Sequence, residues 1–117
     1  MRTIKFRGKR EDTKEWLYGY VYKVESKGLW FIDNGKTVSH QVFPETVGQF
    51  TGLYDKNGEE IYEGDIVKCW GGEWVFGVWE YLEIIEILDI REMYELTNVN
   101  WAGIEVVGNI HDNKEET

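Results

Sequence analysis

The chain is poor in the residues that would staple or activate a small protein. Among its 117 residues there is one cysteine, Cys69, and one proline, Pro44. A lone cysteine closes no internal disulfide, which excludes a stapled secreted scaffold and points to a reducing compartment. Two histidines, His40 and His111, and two serines, Ser26 and Ser39, leave little material for nucleophilic catalysis. Ser39 and His40 are neighbours on an expected strand, so they face opposite ways and cannot act as nucleophile and base. Cys69 on a strand reads as a small core residue rather than a nucleophile. No apolar run approaches the ~20 residues of a membrane span, and the opening MRTIKFRGKR lacks a signal-peptide apolar segment. A cytoplasmic chain with no membrane partner is expected. There is no P-loop, no dinucleotide fingerprint and no Cys-x-x-Cys, and DKNGEE fails as a calcium loop because its glycine falls too early. His111, Asp112, Glu115 and Glu116 read as a solvated tail rather than a metal set. No catalytic residue, metal or cofactor is expected.

Aromatic and acidic residues are what the chain has in plenty. It carries six Trp, seven Tyr and five Phe, with a hydrophobic share of 42% that is ample for one folded core and excludes a disordered chain. A single domain over 1–117 is expected, with 112–117 frayed. The net charge is −9, unevenly spread: nine basic and five acidic residues in 1–40, two and seven in 41–79, two and ten in 80–117. Such a chain is repelled by a phosphate backbone unless its cations share a face. Arg7, Lys9 and Arg10, near the start, are the candidates for such a face.

Turn signals divide the chain. Asn34-Gly35 and Asn57-Gly58 favour two-residue type I′ hairpins, which would pair Asp33 with Lys36 and Lys56 with Glu59. In the second hairpin the next pair, Asp55 with Glu60, is like-charged and argues for splay. Gly71-Gly72 is a third candidate, setting Cys69 opposite Trp74 and Val67 opposite Phe76. Ser26-Lys27-Gly28 fits a longer loop. Between the turns, alternation supplies strands: Ile4 and Phe6 against Lys5 and Arg7, then Trp16, Tyr18, Tyr20, Tyr22 and Val24 on one face of WLYGYVYKV. Seven or eight short antiparallel strands describe a mainly β meander that curls into a small SH3-like barrel or sandwich. The run 79–96 carries acids at every third position and no Gly or Pro, and its Glu, Leu and Ile favour a helix near 82–96. Around IYEGDIV, Gly64 permits a bend, and Asp65 can accept backbone N–H groups as the chain enters Ile66-Val67. The Trp16–Tyr22 stripe is either a core wall or, facing outward, a platform for a partner or for unpaired bases.

The opening IKFRGKRED, the WLYGYV that follows, the central PETVGQFTGLYDKNGEEIYEGDIV and the closing IEVVGNIHDN resemble the YopX family of bacteriophage and prophage proteins. Tyr54 and Glu59 stand where members of that family often carry lysine. The resemblance implies a small, mostly β phage or prophage protein and no enzyme activity to carry over. Thr51, Gly52, Asn57, Gly58, Gly64 and Asp65 of its central motif read as turn and bend residues. Three functions compete. The first is a phage accessory protein acting through protein contacts, with self-association and with host or phage proteins. The second is a nucleic-acid module using Arg7, Lys9, Arg10, Trp16, Tyr18, Tyr20 and Tyr22, or in reversed sign an acidic nucleic-acid mimic over 80–117. The third is a hydrolase, which needs Glu60, Glu63, Asp65, His40 and Cys69 to converge.

Overall fold

The computed structural model describes residues 4–36, 38–88 and 101–112. Among these the strands are β1 Phe6–Lys9, β2 Trp16–Val24, β3 Leu29–Asp33, β4 His40–Val42, β5 Gly48–Tyr54, β6 Glu60–Tyr62, β7 Asp65–Val75, β8 Val78–Glu86 and β9 Trp101–Asn109. A 3-10 turn, Pro44–Thr46, sits between β4 and β5. The chain is mainly β with antiparallel pairing, as its alternation predicts, and no pairing among the described residues closes a sheet into a barrel. It divides into two compact units, Met1–Phe50 and Thr51–Thr117.

In the first unit the strands are hydrogen-bonded in the order β4-β3-β2-β1-β5. The β2–β3 ladder closes at Val24↔Leu29 across a loop at residues 25–28, where the N–H groups of Lys27 and Gly28 both donate to the Val24 carbonyl. Ile32 and Val42 form the buried side of this sheet. A methyl at Gly8 would lie 3.0 Å from Ile32 Cδ1 and 3.1 Å from Val42 Cγ2, so β1 approaches this pair closely because Gly8 has no side chain. The 3-10 turn is fastened to β1: the Lys9 N–H donates to Thr46 Oγ1 at 2.9 Å and the Phe43 N–H to the Lys9 carbonyl at 2.9 Å.

In the second unit the rest of β5 pairs with β6, and a three-stranded sheet runs β8-β7-β9. Ile61, Val67, Cys69 and Ile87 form its core, with Leu53, Ile85, Trp101, Ile104 and Val106 packed against them. The helix expected near 82–96 is corrected where it can be seen: Val78–Glu86 is strand, paired with β7 from Val75↔Val78 to Ile66↔Glu86. Ile85 faces Val67 across that ladder, and burial against it outweighs the helix preference of Glu and Leu. The part of the expected helix from Asp89 to Leu96 lies outside the described residues.

The turns fall near the expected places but take other forms. At Asn57-Gly58 the loop is Lys56-Asn57-Gly58. The Asp55 N–H donates to the Glu59 carbonyl at 2.8 Å and the Gly58 N–H to the Asp55 carbonyl at 3.0 Å, with Gly58 at φ +82°. This is a type I turn followed by a left-handed glycine, and Asp55, not Lys56, faces Glu59. At Asn34-Gly35 the β3–β4 ladder ends at Ile32↔His40, and Asp33 pairs with Tyr20 of β2 rather than with Lys36. There Asp33 Oδ1 accepts from the Gly35 N–H and Asn34 Oδ1 from the Lys36 N–H, side-chain bonds that compete with a tight hairpin. Gly71-Gly72 is not a reversal: β7 runs through it with a register shift between Gly71 and Trp74. Cys69 therefore faces Glu83, and Val67 faces Ile85. The chain reverses instead at Phe76-Gly77, both at positive φ (+52° and +82°) between the pair Val75↔Val78. That is the type I′ geometry, at a dipeptide with no asparagine.

Candidate functional site

The β7–β8 hairpin ends in Trp74-Val75-Phe76-Gly77-Val78-Trp79, in which Trp-Val is mirrored by Val-Trp about Phe76-Gly77. Trp74 and Trp79 face each other across it, rings edge to face with centroids 5.2 Å apart. The tip is out in solvent: Phe76 is 100% exposed, Val78 64% and Trp74 59%. A fully exposed phenylalanine at φ +52° gains nothing from burial and bears a backbone penalty of about 1–2 kcal/mol. Further along β8, Leu82 and Ile84 are exposed as well, so the apolar surface continues beyond the tip.

Beside the tip lies an open groove of about 360 Å³, lined chiefly by Lys56, Lys68, Trp70, Trp74, Leu82 and Glu105. Alternation makes its floor, because Lys68 and Trp70 of β7 sit opposite Ile84 and Leu82 of β8 and opposite Glu105 and Gly103 of β9. The Trp70 indole occupies the space that a side chain at position 103 would need. The Lys56 ammonium stands 5.2 Å from the Trp70 ring centre and 3.7 Å from the Glu105 carboxylate. Lys68 is exposed, and among the described residues its ammonium has no ion-pair partner.

Asp55 fixes one wall of this groove. Its Oδ1 accepts from the N–H groups of Asn57 (2.8 Å) and Glu59 (2.9 Å), and its Oδ2 from the N–H of Val106 on β9 (3.0 Å). The Lys56 N–H donates to the Ile104 carbonyl at 2.9 Å, so the loop is tied to β9 at two points and Lys56 is held over Trp70. Burial works to raise the Asp55 carboxyl, but the Val106, Glu59 and Asn57 N–H groups and the Lys56 charge outweigh it. The carboxyl is held below its ordinary range.

The other motif residues also act on the backbone. Thr51 is buried and its hydroxyl donates to the Ile61 carbonyl at 2.7 Å, while Gly52 takes φ +87° on β5. Gly64 bends at φ +94°, and Asp65 Oδ2 accepts from the Tyr62 N–H at 2.8 Å as the chain enters β7. Asn57 adds one side-chain contact, its amide 3.4 Å from Glu105.

The candidate basic face comes apart. Tyr18, Tyr20 and Tyr22 do face outward, Tyr22 stacked on Phe31 at 5.4 Å. Arg7 and Lys9 lie on the same side, opposite Tyr18 and Trp16, but each is only 6% exposed. The Arg7 guanidinium carbon is 4.5 Å from the Trp16 ring centre and Lys9 Nζ 5.8 Å from it. Arg10 is forked onto Asp12 by bonds of 2.8 and 2.7 Å, and this partner holds the Asp12 carboxyl down at about 2. Sequence reasoning missed the hairpin and its groove. The signal available was the mirrored Trp-Val and Val-Trp of Trp-Val-Phe-Gly-Val-Trp, whose cross-strand pairs fall into register only if the turn is at Phe76-Gly77.

Of the residues a hydrolase would need, Cys69 is fully buried in the core of the second unit, and His40 lies on β4 of the first. The Asp65 carboxylate is bound to backbone, and Glu60 accepts from the Tyr62 hydroxyl at 2.9 Å. Among the described residues no three His, Cys, Asp or Glu side chains gather as a metal set. No helix among the described residues is long and apolar enough to cross a membrane.

The family model described as YopX protein matches residues 5–116, nearly the whole chain, and the chain belongs to that family. No curated protein and no solved structure matches it.

Proposed function

We propose that this member of the YopX family is a non-enzymatic phage or prophage accessory protein of the cytoplasm that acts through protein contacts, self-association among them. One observation carries the reading: the β7–β8 hairpin presents Trp74, Phe76 and Val78 to solvent at a turn whose geometry is unfavourable for phenylalanine. A phenylalanine that contributes little to folding and stands at a rim beside a half-exposed indole is what a protein interface uses as an anchor. Sedimentation of the purified chain over a range of concentrations tests this; it should show a concentration-dependent oligomer, and a strict monomer at high micromolar concentration would remove the self-association.

The outward Tyr18, Tyr20 and Tyr22 give a second reading some support, that of a stacking platform for unpaired bases. It is the weaker one, because the cations that would meet the phosphates are buried at Arg7 and Lys9 or engaged at Arg10. Titration with a fluorescent single strand at low salt decides it, and saturable binding lost on changing Tyr20 and Tyr22 to Ser would restore this reading.

A further inference from the structure

The geometry points to a two-fold dimer in which Phe76 of each copy is seated in the other copy's groove over Trp70 and Leu82. This rests on the self-association proposed above and names its interface.

The first ground is shape. A convex apolar tip adjoins a groove with an indole and leucine floor and a charged rim, and Trp74, Gly77 and Val78 of the tip wall that groove, yet Phe76 takes no part in lining it. Two copies related by a two-fold axis satisfy both at once, since in such a pair whatever residue one copy inserts the other inserts too. A single asymmetric contact would leave one tip and one groove uncovered.

The second ground is area. Phe76, Trp74, Val78, Leu82 and Ile84 are each more than half exposed. With fully exposed aromatic side chains at about 150–250 Å² each, the patch amounts to roughly 600 Å² of apolar surface per copy. Two copies would then bury about 1,200 Å² from these side chains alone, at the threshold of a stable interface before the rim is added.

The third ground is charge. A chain at −9 repels its own copy broadly, so the contact belongs where positive charge is found. The second unit has few cations, and two of them line the groove: Lys56, paired there with Glu105, and Lys68, which leaves the lining with one positive charge in excess. The net charge of −9 likewise disfavours insertion of this tip into an anionic bilayer.

Phe76→Asn is the decisive variant, because it creates the Asn-Gly pair that type I′ turns prefer and so preserves or strengthens the fold while removing the ring. Dimerisation should weaken roughly a thousandfold, since each hot-spot loss counts twice in a two-fold pair, while the melting temperature of the dilute protein holds or rises. A mixture of Phe76→Cys and Leu82→Cys chains should form a mixed disulfide dimer on mild oxidation, the native Cys69 being buried. Phe76→Asn that still dimerises like the wild type, or Phe76→Cys that cross-links to itself in preference, overturns this interface and leaves self-association standing. A monomeric wild type overturns both.

Discussion

Replacing Asp55 by alanine would leave three backbone N–H groups, those of Asn57, Glu59 and Val106, without the acceptor that now joins them. Hydrogen bonds to a charged acceptor are worth about 1.5–3 kcal/mol each, but the three do not add. The Asn57 and Glu59 groups lie in a loop that can partly rehydrate, whereas Val106 is within β9 and Asp55 as a residue is only 7% exposed. The expected loss is therefore about 2–4 kcal/mol. Asp55→Asn is a finer probe. Its single carbonyl oxygen can keep the two loop N–H groups, but its amide would then face the Val106 N–H, donor against donor, and about 1–2 kcal/mol should be lost.

Urea unfolding of the three proteins at pH 7 and near pH 3, followed by tryptophan fluorescence, gives the assay. Asp55 has a depressed carboxyl when folded, so its contribution is fully present above the unfolded value near 3.9 and fades as pH falls through the folded value. The gap between wild type and Asp55→Asn should therefore be widest at neutral pH and narrow under acid. A gap that stays constant, or an Asp55→Ala protein within about 0.5 kcal/mol of wild type, would refute the assignment of Asp55 as the tie between the loop and β9.

Gly58→Val should cost about 1–2 kcal/mol by thermal melting; nothing lies within 4 Å of the position a methyl would take, so the loss is conformational and Gly58→Asn should recover part of it. Gly103→Val should push the Trp70 indole off β9, shifting the emission maximum and weakening self-association together, with the fold otherwise retained. Arg10→Ala should return the Asp12 carboxyl from about 2 towards its ordinary value, readable by carbon-detected NMR titration, with little change in melting because the pair lies at the surface with Asp12 exposed.

How much of this could be read beforehand depended on whether a signal was local. The strand β2 was legible to the residue, because Trp16–Val24 alternates cleanly and ends at a polar loop. The bend at Gly64 and the backbone bond of Asp65 were legible for the same reason. The strand over Val78–Glu86 was not, since Glu, Leu and Ile suit a helix until β7 offers a ladder. Nor was the burial of Arg7 and Lys9, whose aliphatic stems can pack along Trp16 in a way that a charge count treats as solvated surface.

The turns show most clearly what competes with a dipeptide rule. Both Asn-Gly pairs are preceded closely by an aspartate, Asp33 at one residue and Asp55 at two, and in each case that carboxylate captures loop N–H groups and imposes its own geometry. At Phe76-Gly77 no such acceptor intervenes, and the cross-strand pairs Val75↔Val78 and Trp74↔Trp79 set the register. Those pairs demand a reversal of two residues, which in a twisted hairpin means positive φ at both, and a phenylalanine must comply. Asparagine there would fold more easily. A residue that folding disfavours, held fully exposed by two indoles that fix its turn, is what the proposed contact with a second copy would account for.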